Sequence, residues 1–244
     1  ESISQNLYEY AQQISILREK PDIVICPVKT LLEKFPKEEF FENNSIKIKV
    51  GDTVDLKELT QKLVALGYRR STMVSDMGEF SIRGDIADIF SLNEKPVRIE
   101  LWGDEVTDIR FFDNETQKSV EKTKNIEILP VYKFILPNSY NEIPKKIQEE
   151  AELNGYFEGI EVYQNYFNQD LVGVLDYFKD YILIYDETSE IYSKYEFVNE
   201  TLEKQLEENL KLEMLQPLKG KNHVTFEDFL RKKQADELFD KGVE

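Results

Sequence analysis

Residues 78–90 read GEFSIRGDIADIF, and this stretch decides how we interpret the rest of the chain. Apolar and polar side chains alternate in its first half, which is the period of an extended strand with one buried face. Phe80 and Ile82 fall on one side of that strand, and Ser81 and Arg83 fall on the other. The pattern therefore predicts a strand whose Phe80 and Ile82 face a core while Ser81 and Arg83 face water.

The period of two continues on both sides of this strand, from about residue 68 to residue 113. VRIEL (residues 97–101) alternates in the same way and is followed by Gly103-Asp104 and a second alternating run, residues 106–112. A gap of this length with glycine in it is typical of a two-residue hairpin turn. We therefore predict a compact antiparallel sheet.

A strand and a capped helix precede this sheet. IKIKV (residues 46–50) alternates apolar and basic residues, which indicates a half-exposed strand. Asp55 and Glu58 stand where an N-terminal cap would satisfy free backbone amides. Gly67 stands where a helix commonly ends.

The flanking segments have a different character. Residues 23–28 and residues 181–185 are continuous β-branched and apolar runs, the pattern of strands that are buried on both faces of a parallel sheet. We therefore predict an α/β fold: a degenerate helicase-like (RecA-like) parallel-sheet domain at residues 1–44 and 126–244, ending in an acidic helical tail. A mainly antiparallel α+β domain at residues 45–125 would interrupt it.

Composition excludes several classes of function. The chain has 244 residues and a formal charge of −17, which disfavours binding to a nucleic-acid backbone or to an anionic membrane surface. Its single cysteine, Cys26, and single histidine, His223, exclude a disulfide framework and a multi-histidine metal centre. No apolar run is long enough to cross a bilayer and no export leader is visible, so we expect a cytoplasmic protein.

Sites for catalysis are poorly supported. The nearest approach to a phosphate-binding loop is Gly220-Lys221, but Asn222 follows where a hydroxyl is needed, so we expect no ATP site in this chain. A hydrolase could use two of the clustered carboxylates, for example Asp85 and Asp88, although turns in an acidic chain favour aspartate for structural reasons. We expect no catalytic residue, cofactor or metal in this chain.

Arginines are concentrated in the predicted sheet and its entry segment. Their fork-shaped guanidinium groups suit a protein interface, but plain solvated charges explain them equally well. A nucleic-acid-binding module using the same groups is a further alternative. The arginines are Arg69, Arg70, Arg83, Arg98 and Arg110.

These same blocks carry a family resemblance. GYRR (67–70), GEFSIRGDIADIF (78–90) and RIELWGDEV (98–106) resemble the second domain of the excision-repair protein UvrB. With the continuation IRFFDNETQKS (109–119), they resemble more closely the corresponding module near the N-terminus of the bacterial transcription-repair coupling factors, the Mfd family. A fragment of UvrB is the alternative.

The resemblance implies that the inserted domain docks UvrA, the damage-recognition ATPase of excision repair. Arg70 and Arg83 match family arginines implicated in that contact, and Arg69 lies beside them. Phe80, Phe90 and Glu100 lie in matched positions, where they would either join the contact or serve the core. The parent protein would be an ATP-dependent DNA translocase whose ATP, magnesium, DNA and RNA polymerase sites lie in other parts of its chain.

Overall fold

The computed structural model describes residues 6–92, 95–137, 143–168, 170–211, 216–221 and 223–224. Its α-helices are α1 (Leu7–Glu19), α2 (Val28–Leu32), α3 (Glu38–Asn44), α4 (Leu56–Ala65), α5 (Lys145–Asn154), α6 (Gln164–Phe167) and α7 (Thr188–Lys211). Two 3₁₀ turns span Ile160–Tyr163 and Val174–Tyr177. Its strands are β1 (Lys34–Pro36), β2 (Ile46–Lys49), β3 (Arg69–Arg70), β4 (Glu79–Arg83), β5 (Ile86–Ile89), β6 (Val97–Trp102), β7 (Glu105–Phe112), β8 (Ser119–Thr123), β9 (Asn125–Ile128) and β10 (Leu171–Gly173).

A six-stranded sheet with the order β3-β4-β5-β6-β7-β8 forms the centre of the molecule. All its neighbouring strands are antiparallel except the short pair β3–β4, which is parallel. Strands β6 and β7 are joined through Gly103-Asp104, and Gly103 has a φ of +63°, which a hairpin turn of this length requires. The predicted antiparallel sheet and its hairpin are confirmed.

One face of this sheet is covered by α4 and by the separate β2–β9 pair. Phe80, Ile89, Ile99 and Ile109 come from alternate positions of adjacent strands and are fully buried in this first apolar cluster. Leu63 of α4 is also fully buried there. The apolar faces that a period of two gives the strands and a period of about 3.6 gives the helix therefore pack together in one core.

The opposite face is covered at one end only. Phe90 and Phe112 lie there in a second cluster with Tyr10 and Ile14 of α1 and with Phe35. These side chains are at most 3% exposed. The sheet therefore shares a core with the segment that precedes it in sequence.

Helix α4 begins and ends as its sequence indicates. The Asp55 carboxylate accepts hydrogen bonds from the backbone amides of Lys57 and Glu58 at 2.7 and 3.0 Å. These bonds satisfy two of the free amides of the first turn. At the other end Gly67 adopts a φ of +91°, and the amide of Tyr68 donates to the carbonyl of Leu63.

The two flanking apolar runs are not strands. Ile23 and Ile25 are 83% and 93% exposed, and Ile182 and Ile184 are 85% and 84% exposed. Neither run pairs with a strand of the described residues, so the parallel sheet predicted from them is not formed there. A continuous apolar run indicates that a segment suits a sheet, but it carries no information on whether neighbours are present on both sides.

Other predictions on the flanks have mixed outcomes. Residues 125–128 pair with β2, across the boundary that we predict at residue 126. The acidic tail is helical as expected, over Thr188–Lys211. Asn222 lies outside the described residues. No helix of the described residues is long and apolar enough to span a membrane.

Gly67 and Gly51 offer a matched test of how α4 is joined to the sheet. Both have a φ of +91°, but a Cβ on Gly67 would lie 2.6 Å from Cδ2 of Tyr132, whereas Gly51 has open space. The Tyr132 ring is itself stacked on Tyr156 with centroids 4.5 Å apart, so it has little freedom to retreat.

We expect Gly67→Ala to lower the free energy of unfolding by about 2–4 kcal/mol, because backbone strain adds to overpacking. Gly51→Ala should cost only the backbone term, about 1–2 kcal/mol. Urea unfolding followed by circular dichroism measures both, and equal losses would contradict the role assigned to Tyr132.

Candidate functional site

The uncovered end of the second sheet face carries charged side chains on adjacent strands. The register places Arg83 of β4 opposite Ile86, and Asp88 of β5 opposite both Ser81 and Arg98. The same register places Glu100 of β6 opposite Asp108 of β7. We call this surface the charged face and define it by Arg83, Asp88, Arg98, Glu100, Asp108 and Arg110.

Asp88 is the centre of the charged face. Its side chain is 1% exposed and accepts hydrogen bonds from Arg98 at 2.7 and 2.9 Å and from Arg83 at 2.6 Å. The hydrogen bonds to Asp88 raise the pKa of Arg98 above its ordinary value, against the opposing effect of burial. One carboxylate between two guanidinium groups leaves an excess positive charge, and it is presented at Arg83, whose side chain is 51% exposed.

A second group of ion pairs lies beside the first. Arg110 bonds to Glu100 and lies 3.5 Å from Asp108, which also pairs with Lys122 at 3.0 Å. The carboxylates of this face are therefore each held by a cation rather than by one another. A hydrolase that uses Asp85 and Asp88 as acid and base has no support in this geometry, because Asp88 is committed to two arginines.

Arg69 and Arg70 lie on β3 at the edge of the sheet and differ in their surroundings. Arg69 is 77% exposed and donates to Glu79 at 3.2 Å. Arg70 pairs in register with the buried Phe80, is itself exposed, and has no ion-pair partner among the residues described. Because strand residues alternate, Arg70 lies on the same face of the sheet as Phe80, and Arg83 lies on the opposite face. The two arginines therefore do not share a face.

Glu79 is the anchor of this edge. Its carboxylate accepts hydrogen bonds from the amides of Ser75 and Asp76 at 3.0 and 3.1 Å. Burial raises the pKa of Glu79, but these amide bonds and Arg69 outweigh it and the net pKa is lowered. The loop that leads into β4 is therefore tied to an ionised carboxylate.

The remaining predicted site residues have mainly structural surroundings. Phe80 and Phe90 are 0% and 3% exposed, in the first and second clusters respectively, so the core alternative accounts for both. Ser81 does not face water as its alternation predicts: it is 2% exposed and its hydroxyl donates to the carbonyl of Thr72. The loop before β4 folds over it, which strand periodicity cannot indicate. Glu100 is 32% exposed in its side chain.

Trp102 is the surface residue that the sequence reasoning missed. It lies at the end of β6 and is 82% exposed. The alternation Arg98, Glu100, Trp102 was available as a signal, since it places all three on the same side of β6.

Cys26 and His223 lie apart from the charged face. Burial raises the pKa of the Cys26 thiol to about 11, which keeps it protonated and unreactive. Burial lowers the pKa of His223, whose ring lies 3.2 Å from the side-chain oxygen of Asn199. The residues that the structure describes contain no cluster of metal-ligating side chains.

Comparison with known proteins covers both the sheet and its flanks. Residues 46–134 match the family model of the UvrB interaction domain. A transcription-repair-coupling factor of Staphylococcus haemolyticus (strain JCSC1435) is 31% identical over 205 residues, 72% of this chain and 18% of the relative. One from Staphylococcus aureus (strain bovine RF122 / ET3-1) is 30% identical over 200 residues, 70% of this chain and 17% of the relative. The resemblance found in the sequence is confirmed, and the chain spans less than a fifth of these relatives.

The shared carboxylate gives the first prediction for this site. Asp88→Asn leaves two guanidinium groups with one neutral acceptor, and we expect a loss of about 3 kcal/mol in the free energy of unfolding. Asp85→Asn changes the same group at an exposed turn position and should stay within about 0.5 kcal/mol of wild type. Urea unfolding would refute the assignment if the two variants were equally stable.

The lowered pKa of Glu79 gives a pH-dependent prediction. Its stabilising effect is present above the ordinary value of 4.5 and is lost as the pH falls through the lower folded-state value. Glu79→Gln should therefore cost roughly 1.5–3 kcal/mol at pH 7 and progressively less below pH 4.5.

Denaturant unfolding at several pH values tests this, with Glu149→Gln as a control because Glu149 is 63% exposed on α5. If the stability difference between wild type and Glu79→Gln grew on acidification, the expected direction of the pH dependence would be wrong.

Proposed function

We propose that this chain, which carries a UvrB interaction domain and is related to the transcription-repair-coupling factors, is the adaptor module through which such a factor recruits UvrA. Arg70 and the exposed part of Arg83 would contact carboxylates of UvrA. The single observation that carries the proposal is the Asp88 arrangement, because it presents an arginine with excess positive charge inside the segment that matches the family.

Electrostatics support a protein partner with an acidic docking surface. The chain carries a formal charge of −17, so an exposed cationic spot on it is a local exception. Arg83 is held by Asp88 and still half exposed, so its guanidinium is positioned before a partner arrives. Preorganisation of this kind lowers the ordering cost of binding.

A nucleic-acid partner is less well supported. Phosphate binding gains affinity from many released counterions and needs an extended basic surface. Arg98 and Arg110 are paired with internal carboxylates, and of the sheet's arginines only Arg70 and part of Arg83 face outward without full neutralisation among the described residues. Two such groups are fewer than an extended duplex-binding surface needs.

The parent protein would supply the remaining activities. We propose that it is an ATP-dependent DNA translocase that engages stalled RNA polymerase and DNA through other parts of its chain. Gly220-Lys221-Asn222 does not fit a phosphate-binding loop, since it lacks the hydroxyl that would hold magnesium, and this supports placing the ATP site elsewhere in the parent protein. A fragment of UvrB is disfavoured because the curated relatives described above are coupling factors.

The test is calorimetric titration of the cognate UvrA into the 244-residue chain. We expect Arg70→Ala combined with Arg83→Ala to weaken binding by at least about a hundredfold, because truncating a buried arginine–carboxylate contact typically costs about 2–5 kcal/mol.

Lys145→Ala combined with Lys204→Ala is the matched control. It removes the same charge from exposed i,i+4 pairs on α5 and α7, and it should bind as wild type does. Wild-type affinity in the arginine variant, with folding intact by circular dichroism, would refute the proposal.

A further inference from the structure

Trp102 is an exposed aromatic residue beside the charged face. It is the chain's single tryptophan and is 82% exposed at the end of β6. Alternation along β6 places it on the same side as Arg98 and Glu100, beyond the turn that joins β4 to β5. An indole offers one of the largest apolar surfaces of any side chain, so leaving it in water forgoes a large favourable burial.

The backbone around Trp102 is held in place from one side. The amide of Gly51 donates to the carbonyl of Val106 at 2.8 Å, and the amide of Val106 donates to the carbonyl of Asp52 at 2.9 Å. The amide of Val54 donates to the carbonyl of Asp104, within the turn itself, at 2.7 Å. The exposed indole therefore stands on a hairpin tip that is fixed before any partner binds.

Two of the carboxylates beside Trp102 are already compensated. Glu100 is bonded to Arg110, and Asp108 is bonded to Lys122. Covering these two would therefore not leave an unpaired buried charge. Glu105, the exposed register partner of Trp102, has no ion pair among the described residues, so a partner that covers the indole must leave Glu105 in water or supply a cation for it. The excess charge of the face remains two strands away, at Arg83.

The distance from Trp102 to Arg83 suits a single interface. Strand spacing and the rise per residue place their Cα atoms about 12 Å apart. An interface of ordinary size covers about 800 Å² on each partner, which corresponds to a patch of roughly 16 Å radius. One partner can therefore cover Trp102 and pair with Arg83 at the same time.

We propose that Trp102 is the apolar anchor of the UvrA-binding surface and that its indole enters an apolar pocket of UvrA while Arg83 pairs with a carboxylate at the pocket rim. This inference rests on the proposed function and names the residue that gives that contact its apolar centre. A buried aromatic ringed by polar contacts is the usual composition of an energetic hot spot. A second copy of the chain is the less suitable occupant, because two chains of charge −17 repel each other.

The first experiment compares affinities for the cognate UvrA by calorimetry, using the 244-residue chain. We expect Trp102→Ala to weaken binding by about thirtyfold, the size of a hot-spot truncation, and Trp102→Phe to weaken it less. Leu153→Ala is the matched control, since Leu153 is also 82% exposed, on α5, and it should bind as wild type does.

The second experiment observes the indole directly. Incorporating 5-fluorotryptophan into this chain gives a single fluorine resonance, because Trp102 is its only tryptophan. Adding unlabelled UvrA should shift this resonance and remove its dependence on solvent isotope. A resonance that UvrA leaves unchanged, or one already shielded in a dimer of the free chain, overturns the inference.

The variants separate this inference from the proposed function. If the Arg70 and Arg83 double variant loses binding while Trp102→Ala binds as wild type does, the anchor is wrong and the adaptor function stands. If wild type itself does not bind UvrA, the adaptor function fails and the anchor fails with it.

Discussion

The buried carboxylate of Asp88 is the constraint on which the charged face depends. A carboxylate that is 1% exposed must be paired and hydrogen-bonded, and β5 has no cation of its own. Arg83 and Arg98 reach it from the strands on either side, so a single acceptor ties β4, β5 and β6 together in one register. A slip of one residue on either outer strand would carry its arginine to the apolar face and its apolar side chains to the charged face, so the ion pair and the apolar core specify the same alignment.

The same interaction divides the second face of the sheet into two parts. The guanidinium of Arg98 lies 4.8 Å above the ring of Phe112, so one side chain contacts both Asp88 and the second apolar cluster. On one side of it the sheet is covered by α1, and on the other it is open and charged. The stem and flat face of an arginine suit this border, since they pack on an aromatic ring while the fork stays with a carboxylate.

The sequence predicts the local architecture well and the surroundings poorly. Alternation finds β4, β6 and β7, and Asp55 and Gly67 mark the ends of α4, because these features depend on contacts within a few residues. The same alternation predicts that Ser81 is exposed, which is wrong, because the loop before β4 folds over that position. The apolar run at Ile23 is predicted to be buried, but it is exposed. Burial requires a neighbouring element, and the run itself does not encode one. Of the candidate site, sequence identifies the arginines but not which one keeps an excess charge, since that depends on how many of them share Asp88.

The apolar cluster under α1 limits how far the sheet can be separated from the rest of the chain. Residues 46–134 supply Val74, Met77, Phe90, Leu92, Phe112 and Leu129 to that cluster, while Tyr10, Ile14 and Leu17 come from outside the segment. If the segment were transferred without α1, it would expose a large apolar surface, and such a surface promotes aggregation. A chimaeric protein that contains this sheet would therefore need a helix that covers the same apolar surface, either α1 itself or an equivalent helix of the recipient protein.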